Sequence, residues 1–131
     1  MSINTKHILT FSLLFFVSIV SAQVSFETKV SKKKLGVNER LRVDFVMNKD
    51  GDNFKSPDFA NFTVVGGPNQ SISTSWLNGK KSFNKTYSYF LAPKKRGAFT
   101  IGQATIEIEG QTYKTSPVEI TVTAAVDIPK D

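Results

Sequence analysis

From Val24 onward, apolar residues recur at alternate positions, and no stretch keeps them at helical spacing for three turns. A period of two sends successive side chains to opposite faces of an extended strand, so each such segment has one face to bury. Val24, Phe26, Thr28 and Val30 alternate with Ser25, Glu27 and Lys29, and Leu41, Val43, Phe45 and Met47 alternate with Arg42 and Asp44. Phe59 to Val65 predicts a third, less regular strand, and Val118, Ile120 and Val122 predict a closing one. Turn-forming residues interrupt these runs, most strongly at Asn48-Lys49-Asp50-Gly51-Asp52-Asn53.

The dipeptide Asn78-Gly79 tolerates positive φ at both centres of a type I′ turn, whose twist matches that of the flanking strands. With those two as the loop, residues whose numbers sum to 157 face each other, so Trp76 opposes Lys81, Thr74 opposes Phe83 and Ile72 opposes Lys85. Ile72, Trp76 and Phe83 then share one face, with Ser71, Ser73, Ser75, Ser82 and Asn84 on the other. The same register carries on through Tyr87, Tyr89 and Leu91, and Phe90 is the exception to it. Phe99 and Ile101 keep the odd parity, whereas Ala104, Ile106 and Ile108 are even. The phase change falls at Gly102-Gln103, which predicts a β-bulge or a sheet-switching bend, against a plain loop between two short strands. Glu109-Gly110 predicts a second tight turn, and Ser116-Pro117 a kink in the return strand.

About seven short strands with one apolar face each must close a core between two layers. The expectation is an all-β fold, an immunoglobulin-like antiparallel β-sandwich over residues 23–123. Residues 1–22 predict a helical signal peptide: Lys6 and His7, an apolar run from Ile8 to Val20, then Val20-Ser21-Ala22 before Gln23. That run is short for a membrane span, and an exported protein in the periplasm or cell envelope is expected. No cysteine is present, so neither lipid attachment through cysteine nor disulfide stapling is open to the chain. The 109 residues after the leader are enough for one domain with a core of its own. Residues 124–131 read as a linker or tail.

The one histidine, His7, lies in the leader, so the exported part has neither histidine nor cysteine. Serine-histidine triads, cysteine nucleophiles and ordinary zinc sites are thereby excluded, and no catalytic, cofactor-binding or metal-binding residue is assigned. Glu107 and Glu109 share a strand face about 7 Å apart, but they alternate with Ile106 and Ile108 as a solvent face does. Asp50 to Asn53 offers oxygens suited to calcium without the full ligand pattern of a calcium loop, and reads as a turn. Gly66-Gly67-Pro68 reads as a loop, with no helix after it to complete a phosphate cradle. Trp76 is expected in or at the edge of the core. Basic residues cluster at Lys32-Lys33-Lys34, Lys80-Lys81 and Lys94-Lys95-Arg96, each beside a turn, and read as solvated loop tips, against binding of anionic polymer or lipid head groups. No aromatic–basic interleaving suggests a nucleic-acid platform, and no nucleic-acid partner is expected.

The order of these pieces resembles the N-terminal region of the BatD family, the oxygen-tolerance proteins of bacterial aerotolerance operons. The resemblance rests on Pro57 and Phe59 before Phe62, Gly67-Pro68 with a serine-rich strand to Asn78-Gly79, and Tyr87-Ser88-Tyr89. It continues through Leu91 with Pro93, Gly97 with Phe99-Thr100-Ile101, Ala104, Gly110, Tyr113, Ser116 and the strand Val118 to Val122, covering roughly residues 23 to 123. It implies a non-catalytic envelope protein whose relatives string immunoglobulin-like modules ahead of a membrane helix. Its implied partners are membrane proteins with von Willebrand A-type domains and tetratricopeptide-repeat proteins. The expectation for this chain is one module without the later modules or the membrane anchor. The residues expected to touch a partner are Trp76, Phe90, Lys94, Lys95 and Arg96. The alternative is a carbohydrate- or polymer-binding adhesin module that stacks ligand on Trp76, Tyr87 or Tyr89.

Overall fold

The computed structural model describes residues 23–128, so the expected signal peptide and the last three residues lie outside the described part. Ten strands appear, all in three sheets, with no helix among the described residues. They are β1 (Phe26–Val30), β2 (Lys34–Gly36), β3 (Leu41–Met47), β4 (Asp52–Lys55), β5 (Phe62–Leu77), β6 (Lys80–Pro93), β7 (Gly97–Ile101), β8 (Thr105–Ile108), β9 (Gln111–Lys114) and β10 (Val118–Thr123).

The largest sheet runs β1-β3-β6-β5 and is antiparallel throughout. Two three-stranded sheets, β2-β10-β7 and β4-β8-β9, close on its inner face. Leu41, Val43, Phe45 and Met47 of β3 and Tyr89 and Leu91 of β6 meet Ile101, Ile106, Ile108, Ile120 and Val122 in one buried cluster. Phe54 of β4 reaches across the layers, stacking on Tyr87 at 4.1 Å and lying 5.7 Å from Phe45. At the other end Phe99 of β7 meets Phe62 edge-on at 6.0 Å. Burying a side chain such as Phe45 stabilises by about 1.5–3 kcal/mol. The expected immunoglobulin-like sandwich is therefore the observed one. Its buried cluster is drawn wholly from Phe26 to Val122, so this segment folds around a core of its own.

The hairpin register is as expected: Trp76 faces Lys81, Thr74 faces Phe83 and Ile72 faces Lys85. Asn78 and Gly79 have φ of 52° and 77°, and Glu109 and Gly110 have 51° and 80°, so both tight turns have positive φ at both centres.

Several expectations are corrected. The third strand begins at Phe62, not Phe59, and runs unbroken through Gly66-Gly67-Pro68 to Leu77, so that tripeptide is not a loop. It sits instead between two register shifts, where the paired numbers move from Val64↔Leu91 to Gly66↔Phe90 to Asn69↔Ser88. Each shift adds one residue to β5, and the Gly67-Pro68 bond within them is cis. The polar tract at 48–53 turns only as far as Gly51, because Asp52 already pairs with Glu107 in β4. Lys34-Leu35-Gly36, which carries the end of a basic cluster, is a strand parallel to β10 with Leu35 buried.

The phase change after Ile101 is a sheet switch rather than a bulge within one strand. β7 pairs with β10, β8 pairs with β4 and β9, and residues 102–104 cross between the two sheets. The return path crosses back at 115–117, so the kink at Ser116-Pro117 divides β9 from β10. Val126, in the expected tail, is tied to Asn38 by two hydrogen bonds of 2.8 and 2.9 Å.

Candidate interaction surface

β3 pairs with β6 only from Leu91 to Lys85, where Met47 faces Lys85. Beyond that point the pairs Ser73–Asn84, Thr74–Phe83, Ser75–Ser82, Trp76–Lys81 and Leu77–Lys80 join β5 and β6 to each other alone. At about 3.4 Å per residue, this two-stranded ribbon runs about 17 Å beyond the last pairing with β3. The hydroxyls of Ser75 and Ser82 hydrogen-bond across it.

Among the described residues nothing covers three apolar side chains on β5, whereas Phe83 on β6 is half-buried. Trp76 is 70% exposed, Leu77 74% and Ile72 56%. Trp76 is therefore outside the core, contrary to expectation, because the inner layer ends before the hairpin does. The Lys81 ammonium lies 5.9 Å from its ring centroid. Leu77 lies outside the expected alternation. The signal was there in Trp76-Leu77, since two adjacent apolar residues on a strand must face opposite ways.

Along one side of the ribbon a cleft of about 630 Å³ opens between Lys81 to Asn84, the loop Asn48 to Asp50, and Glu109. Lys85 is largely buried beside it, with Nζ 2.8 Å from the Asp50 carboxylate and 5.5 Å from the Tyr87 ring. The hydrogen bond from Lys85 pulls the Asp50 carboxyl below its ordinary pKa, and the same bond raises the Lys85 ammonium against the opposing effect of burial. Lys49 lies 3.7 Å from Glu109. Asn53 donates to Glu107 at 3.0 Å.

The other expected contact residues lie elsewhere. Phe90 is half-buried on the outer face of the large sheet, against Gly66, with the Arg42 guanidinium 5.8 Å from its ring. Lys94, Lys95 and Arg96 are exposed in the bend between β6 and β7. Trp76 faces Lys81 near the start of β6 and the bend follows its end, roughly 45 Å away along the strand. Thus the structure does not gather the five residues into one site. Nor do the three aromatics of the carbohydrate alternative share a face: Trp76 is open, Tyr89 is buried and Tyr87 is covered by Phe54.

β5 is an edge strand, with no strand on its far side among the described residues. Its sixteen residues include no charged one. From Asn69 to Leu77 it is regular and free of bulges.

Comparison with curated proteins finds no match. The family model described as "BatD DUF11 like domain" matches residues 28–122, from β1 to β10, and the chain belongs to the BatD family.

Proposed function

We propose that this chain is a non-catalytic interaction module of the oxygen-tolerance type, exported to the bacterial envelope, where it binds partner proteins through the free edge of β5. One observation carries the reading: the stretch Asn69–Leu77 is a regular, uncharged outer edge. Exposed edges in monomeric proteins are commonly guarded by lysine, proline or a bulge, and an unguarded one accepts a strand from another chain. The bulges and Pro68 guard only the first half of β5. The bend Lys94-Lys95-Arg96 offers a second contact of pure positive charge. Von Willebrand A-type membrane proteins and tetratricopeptide-repeat proteins are the partners implied by the resemblance.

The test is capture from envelope extracts on immobilised residues 23–131. Wild type is compared with Ser71→Lys/Ser73→Lys on the edge and with a charge-reversed 94–96 bend. Loss of a protein partner with the edge variant is expected. Equal capture by wild type and edge variant overturns the edge as the contact, and no captured protein alongside retention on a glycan array returns the carbohydrate reading.

A further inference from the structure

The tip of the hairpin poses a problem that a protein partner on the β5 edge does not solve. Trp76 and Leu77 are neighbours on one strand and point to opposite faces, yet both are about three-quarters exposed. A protein surface docked on either face would leave the other apolar side chain in water. A lipid interface surrounds both.

The charge pattern agrees. Lys80 and Lys81 stand across the ribbon from Leu77 and Trp76, one on each face. Between Asp58 and Glu107 the chain has six Lys and Arg and not one Asp or Glu. The ribbon therefore approaches a negative surface with no acidic residue of its own to be repelled. The strand leading to the tip is serine, threonine and isoleucine, so no charge need be desolvated there. The tip lies at the far end of the large sheet, about 17 Å along the ribbon from the last pairing with β3.

We propose that the β5–β6 tip docks shallowly on an anionic phospholipid surface, with Trp76 and Leu77 at headgroup depth and Lys80 and Lys81 on the phosphates. Tryptophan suits that depth because its ring is apolar and its N–H still finds a partner. Lysine keeps its stem against the acyl boundary while its ammonium stays with the headgroups.

Trp76 is the only tryptophan in the chain, so its fluorescence reports on the tip alone. Residues 23–131, which hold the buried cluster of the described residues, are titrated with vesicles of phosphatidylcholine containing phosphatidylglycerol and with vesicles of phosphatidylcholine alone. The expected result is a blue shift on the anionic vesicles, with quenching by lipids brominated near the headgroup. Partitioning should be about thirtyfold stronger on the anionic vesicles, about fivefold for each lysine. Lys80→Gln/Lys81→Gln should abolish most of that preference. Leu77→Ser should weaken binding on both vesicle types while circular dichroism confirms the fold. Cosedimentation without any change in Trp76 emission would mean that another basic surface binds, and would overturn the proposal. So would unchanged emission and no cosedimentation, and a shift produced by soluble glycan instead of vesicles would assign the tip to carbohydrate.

Discussion

The Thr115 hydroxyl accepts a hydrogen bond of 2.8 Å from the Ala104 N–H, and the Thr115 N–H donates to the Ala104 carbonyl at 3.0 Å. Both residues are fully buried. Residues 102–104 carry the chain from one small sheet to the other, and 115–117 bring it back. At these crossings the sheet ladders are interrupted, and buried backbone groups need other partners. The Ala104–Thr115 pair supplies them and joins the two crossings.

Thr115→Val is expected to strand the buried Ala104 N–H and lower stability by about 1–3 kcal/mol. Thr115→Ser, which keeps the oxygen, should lose less. Urea unfolding of the two variants checks this, and equal midpoints would show that the hydroxyl does not matter.

The Lys85–Asp50 pair predicts an asymmetric pair of variants. Asp50→Asn leaves the ammonium of a lysine with a largely buried side chain without its counter-charge, whereas Lys85→Met keeps an apolar stem and removes the charge. At neutral pH Asp50→Asn should have the lower melting temperature. The folded pKa of Asp50 is lowered, so its contribution is complete above the ordinary carboxylate range and fades as pH falls through the folded value. The folded pKa of Lys85 is raised, so its contribution is complete below the ordinary lysine range and fades as pH rises through the folded value. Melting curves across pH should therefore show wild type converging on Asp50→Asn in strong acid. A gap that persists there would contradict the assignment.

Gly67 has φ of 92°, and a Cβ built on it would overlap the Ser88 carbonyl oxygen. A side chain is excluded both by the left-handed backbone and by β6 passing close beneath. Gly67→Ala should cost at least about 2 kcal/mol. A melting temperature within a degree or so of wild type would mean that the double bulge relaxes freely.

Beyond Lys85 the ribbon has only its own two-stranded ladder, and two-stranded ribbons are marginal in water. Amides from Ser73 to Asn84 should exchange about a hundredfold faster than those of β3, measured by hydrogen exchange. Trp76 emission should change little through urea unfolding while circular dichroism shows a full transition. Exchange as slow as that of β3 would mean that the ribbon is covered.

The hairpin register was legible because two independent local signals, Asn78-Gly79 and the alternation on both sides of it, agree. The two bulges of β5 were not. Each inserts one residue, the second restores the parity changed by the first, and Phe62 and Ile72 fall on the same face as if nothing lay between them. Phe54 and Leu35 belong to strands of four and three residues, too short to display a period. The five expected contact residues have only aromatic or basic character in common, and the length of β6 places Trp76 and the 94–96 bend at opposite ends.

Local sterics and the period of two are properties of neighbouring residues, so the sequence alone determined that this chain is extended, where it turns, and which side chains share a face. Whether a face is covered depends on chain far away in sequence. Tertiary structure therefore decided that Tyr89 is dry and Trp76 is in water, although the same alternation runs through both: Ile106, Phe59 and Phe54 close over one end of the hairpin, and no strand among the described residues closes over the other.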